Sequence, residues 1–121
     1  NPRFEETLRH RGLYSADLIP EIVQSGSIKR IGRIPEDIRR LFPIAHEILP
    51  EFHVKVQAVF QKYVDNAVSK TVNLPENATP GDIARIYELA RSLGCKGITV
   101  YRYNSKPDQV LSRGCEICKV D

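Results

Sequence analysis

The sequence predicts an α/β fold that is mostly helical and contains one parallel βαβ unit. Three observations predict it. Apolar residues recur at helical spacing through most of the chain, two short runs rich in β-branched residues stand in its second half, and a well-capped helix lies between those runs.

Asn1-Pro2 ahead of FEETLRHRG reads as an N-cap and a first helical residue, with Gly12 as the stop, so a first helix covers 2–11. A second covers 15–25 with Ser15 as its cap, and Pro20 inside it predicts a short, bent helix. A third covers 35–48, because Pro35, Glu36 and Asp37 suit the positive end of a helix dipole; Pro43 should kink or split it. In the fourth, over 50–64, Phe52, Val56, Val59, Phe60 and Tyr63 share one apolar face. The period then changes. AVSKTVNL is short, branched and closed by Pro75, which predicts a strand over 67–72. Thr79, Pro80 and Asp82 supply a cap, a first-turn proline and an acid at N3. The helix they open, 80–93, carries Ile83, Ile86, Leu89, Ala90 and Leu93 on one face and stops at Gly94. GITVYRY alternates like a second strand over 97–103.

Strand, helix and strand in this order make the two strands parallel, joined by a right-handed crossover. Parallel sheets occur as multi-stranded structures covered on both faces, and two strands alone are marginal in water. The pair is therefore expected to belong to a larger sheet. Residues 1–104 are read as part of one domain, and 105–121, with Pro107, Gly114 and many charges, as an extended arm.

Composition narrows the function classes. No apolar run approaches the roughly 20 residues that cross a bilayer, so no membrane role is expected. The net charge of +3 is mild and both signs are interspersed. The densest basic spot, Lys29, Arg30 and Arg33, reads as a solvated face, and no nucleic-acid partner is expected. The three cysteines are too few and too C-terminal to staple a secreted fold, which favours a reducing, cytoplasmic compartment. With no methionine in the chain, a fragment of a longer protein explains the sequence as well as processing of its start.

The segments NPRFE, GLYS, IPEDIRRLF, PEFHVKVQAVFQ, DNAVSKTVNLP, ATPGD, LGCKGITVYR and QVL follow one another over nearly the whole chain. In this order and spacing they resemble the C-terminal part of the catalytic subunit of the adenosylcobalamin-dependent, class II, ribonucleotide reductases. The resemblance implies a fragment of a ten-stranded α/β barrel. It also implies reduction of ribonucleotides, with diphosphates the nearer likeness, by a thiyl radical generated from adenosylcobalamin. The cofactor carries the radical step while protein orients the substrate. The family's radical cysteine, its paired cysteine and its glutamate lie upstream of this chain, and none of Cys95, Cys115 or Cys118 matches them.

Over Ala67 to Asn73, read as strand, Ser69, Thr71 and Asn73 share one face while Lys70 points the other way. Polar groups facing a barrel interior need partners, so these three either form a hydrogen-bonded network in the wall or contact the ribonucleotide. Tyr101 stands where related iron-dependent reductases carry two adjacent tyrosines that relay a radical; here Arg102 follows it, and Tyr101 is read as packing. Cys115 and Cys118 form a CxxC pair, which in the family resembles a dithiol shuttle re-reducing the active site by thiol–disulfide exchange. The rival reading is half of a zinc site, completed elsewhere; one tightly held zinc per one or two chains would exclude a free shuttle. His10, His46 and His53 fall in helical patterns and read as structural, and Cys95 reads as a small buried hydrophobe.

Two functions compete at this level. One is a segment of a reductase catalytic subunit, contributing barrel wall and reducing arm and inactive alone. Its partners would be the remainder of the reductase chain or a separate N-terminal subunit, a thioredoxin-type reductant and, as a homo-oligomer, further copies. The other is a stand-alone binding or regulatory module, or split-gene subunit, derived from that enzyme.

Overall fold

A computed structural model of the chain describes residues 1–106, which fall into two compact units, Asn1–Ile44 and 45–106. Cys115 and Cys118 lie outside the described residues.

The first unit is helical. α1 (Pro2–His10) starts where Asn1 accepts a hydrogen bond from the Arg3 amide, with Pro2 at the first position. α2 (Leu18–Ser25) has Asp17, not Ser15, at its N-cap position, without a side-chain cap bond, and it is shorter at its start than the sequence predicts. Pro20 falls in its first turn, where a backbone N–H has no intrahelical acceptor, so the proline costs the helix no hydrogen bond. The helix ends at Gly26, whose φ of 66° is the left-handed conformation that glycine adopts without strain.

α3 (Glu36–Leu41) is the first large departure from the expected 35–48 helix. Phe42, held out of the helical region by the following Pro43, has ψ of 54°. Helical structure returns only as a short 3₁₀ turn, Ala45–Glu47, in the second unit. Leu8, Leu18, Ile28, Ile31, Ile34 and Ile38 form the core of the first unit. The Phe4 and Phe42 rings meet edge to face at 5.3 Å against it. Arg33, from the basic spot, reaches Asp17 and Glu21, both at 2.5 Å.

The second unit holds α4 (Pro50–Gln61), β1 (Thr71–Leu74), α5 (Pro80–Ser92) and β2 (Thr99–Arg102). β1 and β2 are parallel, with Thr71 beside Thr99, Val72 beside Val100, Asn73 beside Tyr101 and Leu74 beside Arg102. This is the predicted βαβ unit. Among the described residues the sheet has these two strands and is not closed. α5 carries the predicted capping box: the Asp82 amide donates to Thr79 Oγ1, and the Thr79 amide donates to Asp82 at 2.7 Å. The Thr79 amide and hydroxyl, both donating to the carboxylate, with Arg85 adding to them, hold the Asp82 carboxyl down to about 2. The core is Val54, Val72, Leu74, Ile86 and Ala90, with Ile83, Leu89, Ile98 and Val100 packed against it.

Both strands start later than predicted, at 71 and 99 instead of 67 and 97. The cause is α4, which ends at Gln61 and not at 64. Gln57 and Gln61 take up backbone groups of 66–68 and 96–97 that a longer ladder would have used. β2 ends at Arg102 and not 103, because Ser105 turns back to bond Arg102 O across Asn104 at φ 57°.

α4 also reverses the predicted burial. Its buried residues are His53, Val54, Gln57, Ala58 and Gln61, whereas Phe52, Val59, Phe60 and Tyr63 of the apolar stripe are exposed. No helix among the described residues is long and apolar enough to cross a membrane.

Candidate functional site

In a parallel pair, residues side by side share a face of the sheet. One face of this pair carries Val72 and Leu74, fully buried against the core, and Val100. The other carries Thr71, Asn73, Thr99 and Tyr101, a row of hydroxyl, amide and phenol groups. Asn73 and Tyr101 are half-buried, while Thr71 and Thr99 are exposed. Among the described residues neither the Thr71 hydroxyl nor the Asn73 amide is engaged by a side-chain hydrogen bond.

Of the three predicted contact residues, the structure thus brings Thr71 and Asn73 onto one open face. Ser69 lies outside the strand, exposed, in the segment leading to it. Thr99 was not singled out from sequence, and Tyr101 was read as packing. The alternation of GITVYRY carried the signal for both, once the register of the two strands was known.

Beneath this sheet, two glutamines one helical turn apart hold the chain where it enters both strands. Gln57 Nε2 donates to Val68 O at 3.0 Å and to Gly97 O at 2.5 Å. Gln61 Nε2 donates to Val64 O and Asn66 O, both at 2.9 Å, and its Oε1 accepts from the Val68 amide at 3.1 Å and the Lys96 amide at 3.4 Å. The Gln57 Oε1 is buried without a hydrogen-bond partner. The sequence marks these residues only as two glutamines at i and i+4 on the less apolar side of a helix, a pattern that ordinarily faces water.

Lys70 points to the α4 side, as the alternation predicts. Its Nζ lies 2.8 Å from His53 Nδ1 and donates to Thr71 O at 3.0 Å. An ammonium has only donors, so His53 Nδ1 accepts and Nε2 carries the proton, donating to Ala45 O at 3.1 Å. Burial is the main cause that lowers the His53 pKa; the bond to Ala45 opposes it, and the charge of Lys70 adds to the lowering. Burial lowers the Lys70 pKa too.

The remaining candidates have structural surroundings. His46 sets its ring edge against Tyr103 at 5.1 Å, and His10 is exposed, 4.0 Å from Glu6. Cys95 is half-buried against the core, and burial pushes its thiol up, away from the reactive thiolate. Among the described residues no three His, Cys, Asp or Glu side chains gather as a metal site would need.

A family model described as "Ribonucleotide reductase, barrel domain" matches residues 1–101. The chain is 48% identical, over 94% of its length, to a vitamin B12-dependent ribonucleoside-diphosphate reductase of Thermoplasma acidophilum. It is 49% identical, over 93%, to a protein of the same name from Mycobacterium tuberculosis. It spans 15% and 16% of those two relatives. A vitamin B12-dependent ribonucleotide reductase of Streptomyces clavuligerus is 33% identical over 93% of the chain, which spans 12% of that protein.

Proposed function

Because this chain belongs to the ribonucleotide reductase barrel family, we propose that it is a wall segment of a vitamin B12-dependent reductase whose open sheet face looks onto the ribonucleotide. The complete protein is a ten-stranded α/β barrel in this reading, and it converts ribonucleotides, as diphosphates, to deoxyribonucleotides by thiyl-radical chemistry. The observation that carries the role of this segment is the register of β1 and β2, which lines up Thr71, Asn73, Thr99 and Tyr101 on the face away from the core. A packed wall with no ligand would favour apolar groups there, because unpaired polar groups cost free energy when buried. The Thr71 and Thr99 hydroxyls and the Asn73 amide instead offer donors and acceptors to the hydroxyls of a sugar or to a phosphate.

Adenosylcobalamin, when bound, supplies the radical. In this reading it is held mainly by residues outside this chain. Both nitrogens of His53 are committed to Ala45 and Lys70. This segment's contribution is to position substrate. Cys115 and Cys118 act, in the same reading, as the dithiol that returns reducing equivalents from a thioredoxin-type protein to the active site.

Thr71→Val and Asn73→Ala in the complete reductase test the contact. Each removes a polar group with little change in the strand, and kcat/KM should fall about ten- to a hundredfold for a lost hydrogen bond to substrate. Turnover and KM equal to those of the unsubstituted enzyme in both variants would reject it.

A further inference from the structure

α4 is turned inside out for a helix at a protein surface. Inward it buries three polar side chains, His53, Gln57 and Gln61, beside Val54 and Ala58. Outward, in the stripe that continues into the following turn, Phe52 is 57% exposed, Val59 57%, Phe60 62% and Tyr63 86%; Leu49 at the start of the helix is 71% exposed. A surface helix does the reverse, keeping its apolar stripe against the core. Three aromatic rings this exposed, with the aliphatic groups among them, present an apolar patch on the order of 400 Å². Patches of that size mark surfaces that something else covers.

We propose that in the complete reductase this face of α4 is buried by an apolar, acid-margined surface supplied by the part of the reductase chain outside these residues. The inference rests on the functional reading above and adds an interface to it. Two observations select this occupant. First, relatives of the chain are several times longer, with the chain spanning 15% and 16% of two of them, so most of such an enzyme is available to cover the face. A second copy of the chain could cover the stripe as well, but it would leave the unpaired edges and the open polar face of the sheet bare. The rest of a barrel satisfies all three at once. Second, the helix is net positive on its exposed side: Lys55 and Lys62 are exposed, Glu51 is the one carboxylate between Pro50 and Lys62, and neither lysine forms an ion pair among the described residues. A complementary surface would carry carboxylates opposite them.

Hydroxyl-radical labelling of the complete reductase, resolved by peptide mass spectrometry, reads the accessibility of Phe52, Phe60 and Tyr63 directly. Relative to the same residues in denatured enzyme, labelling should be at least fivefold slower. The protection should also hold on dilution to the monomer, as checked by mass photometry. Free labelling of these rings in an enzyme that reduces ribonucleotides would overturn the inference and leave the functional reading intact. Protection that disappears on dilution to monomer would also overturn it, by assigning the face to a second copy. A complete protein without ribonucleotide reduction would sink the functional reading, and with it the identity of the occupant.

Discussion

His53 and Lys70 show how two ionisable groups share a buried position. With Lys70 donating to Nδ1 and Nε2 donating to Ala45 O, one neutral tautomer satisfies every polar atom of the imidazole. A proton added to Nδ1 would remove the acceptor and set two positive groups against each other. Desolvation and the Lys70 charge therefore keep the folded-state pKa of His53 below its ordinary value of about 6.5. The sign of the linkage follows. Between the folded and unfolded pKa values the unfolded chain binds more protons, so this contribution to stability is fully present above about 6.5 and is lost as pH falls below it. Thermal denaturation from pH 7.5 to 5.5 should show a fall in Tm of a few degrees, and His53→Gln should flatten that dependence. An identical pH profile in the variant would remove His53 from the account. The pairing was not legible in the sequence, because residues 17 apart meet only once α4 lies against the segment entering β1.

At the scale of elements, most signals confined to one turn hold, the Ser15 cap being an exception, and signals that need a neighbour do not. The Asn1 and Thr79 caps, the stop at Gly94 and the break caused by Pro43 are local, and each depends on at most four consecutive residues. The burial of α4 is not local. Its periodicity gives a stripe through Phe52, Val56, Val59, Phe60 and Tyr63, yet the unit buries the glutamine side, because Gln57 and Gln61 satisfy backbone groups that would otherwise be unpaired at the strand entries. The same bonds moved the strand starts and left Ser69 outside β1. Gln57 spans from α4 to both strand entries at once, so it couples three elements. Gln57→Leu keeps most of the volume but strips the Val68 and Gly97 carbonyls of their donor, and should cost about 1–3 kcal/mol. Chemical denaturation of the variant measures the loss. A midpoint equal to that of the unsubstituted protein would mean that water replaces the amide without penalty.

For the whole molecule, the sequence carried the direction of the two strands and the need for more, since a βαβ unit makes a parallel pair and a parallel pair is marginal by itself. It did not carry the number of strands, which depends on residues beyond those that pair here. Along each strand of a parallel pair, successive amides point to opposite sides, so alternate N–H groups of β1 and of β2 point away from the partner strand. A closed barrel leaves no such edge, because every strand has two neighbours. Hydrogen exchange of the complete reductase therefore distinguishes closure from an open pair at single-residue resolution. In a barrel the amides of 72–74 and 99–102 should all be protected at least a hundredfold over unstructured chain, with no alternation, as expected of core strands that open only with the sub-global unit. If every second amide exchanged at the unprotected rate, the pair would be an exposed sheet edge in the complete protein. The closed barrel of the proposed reading would then be wrong.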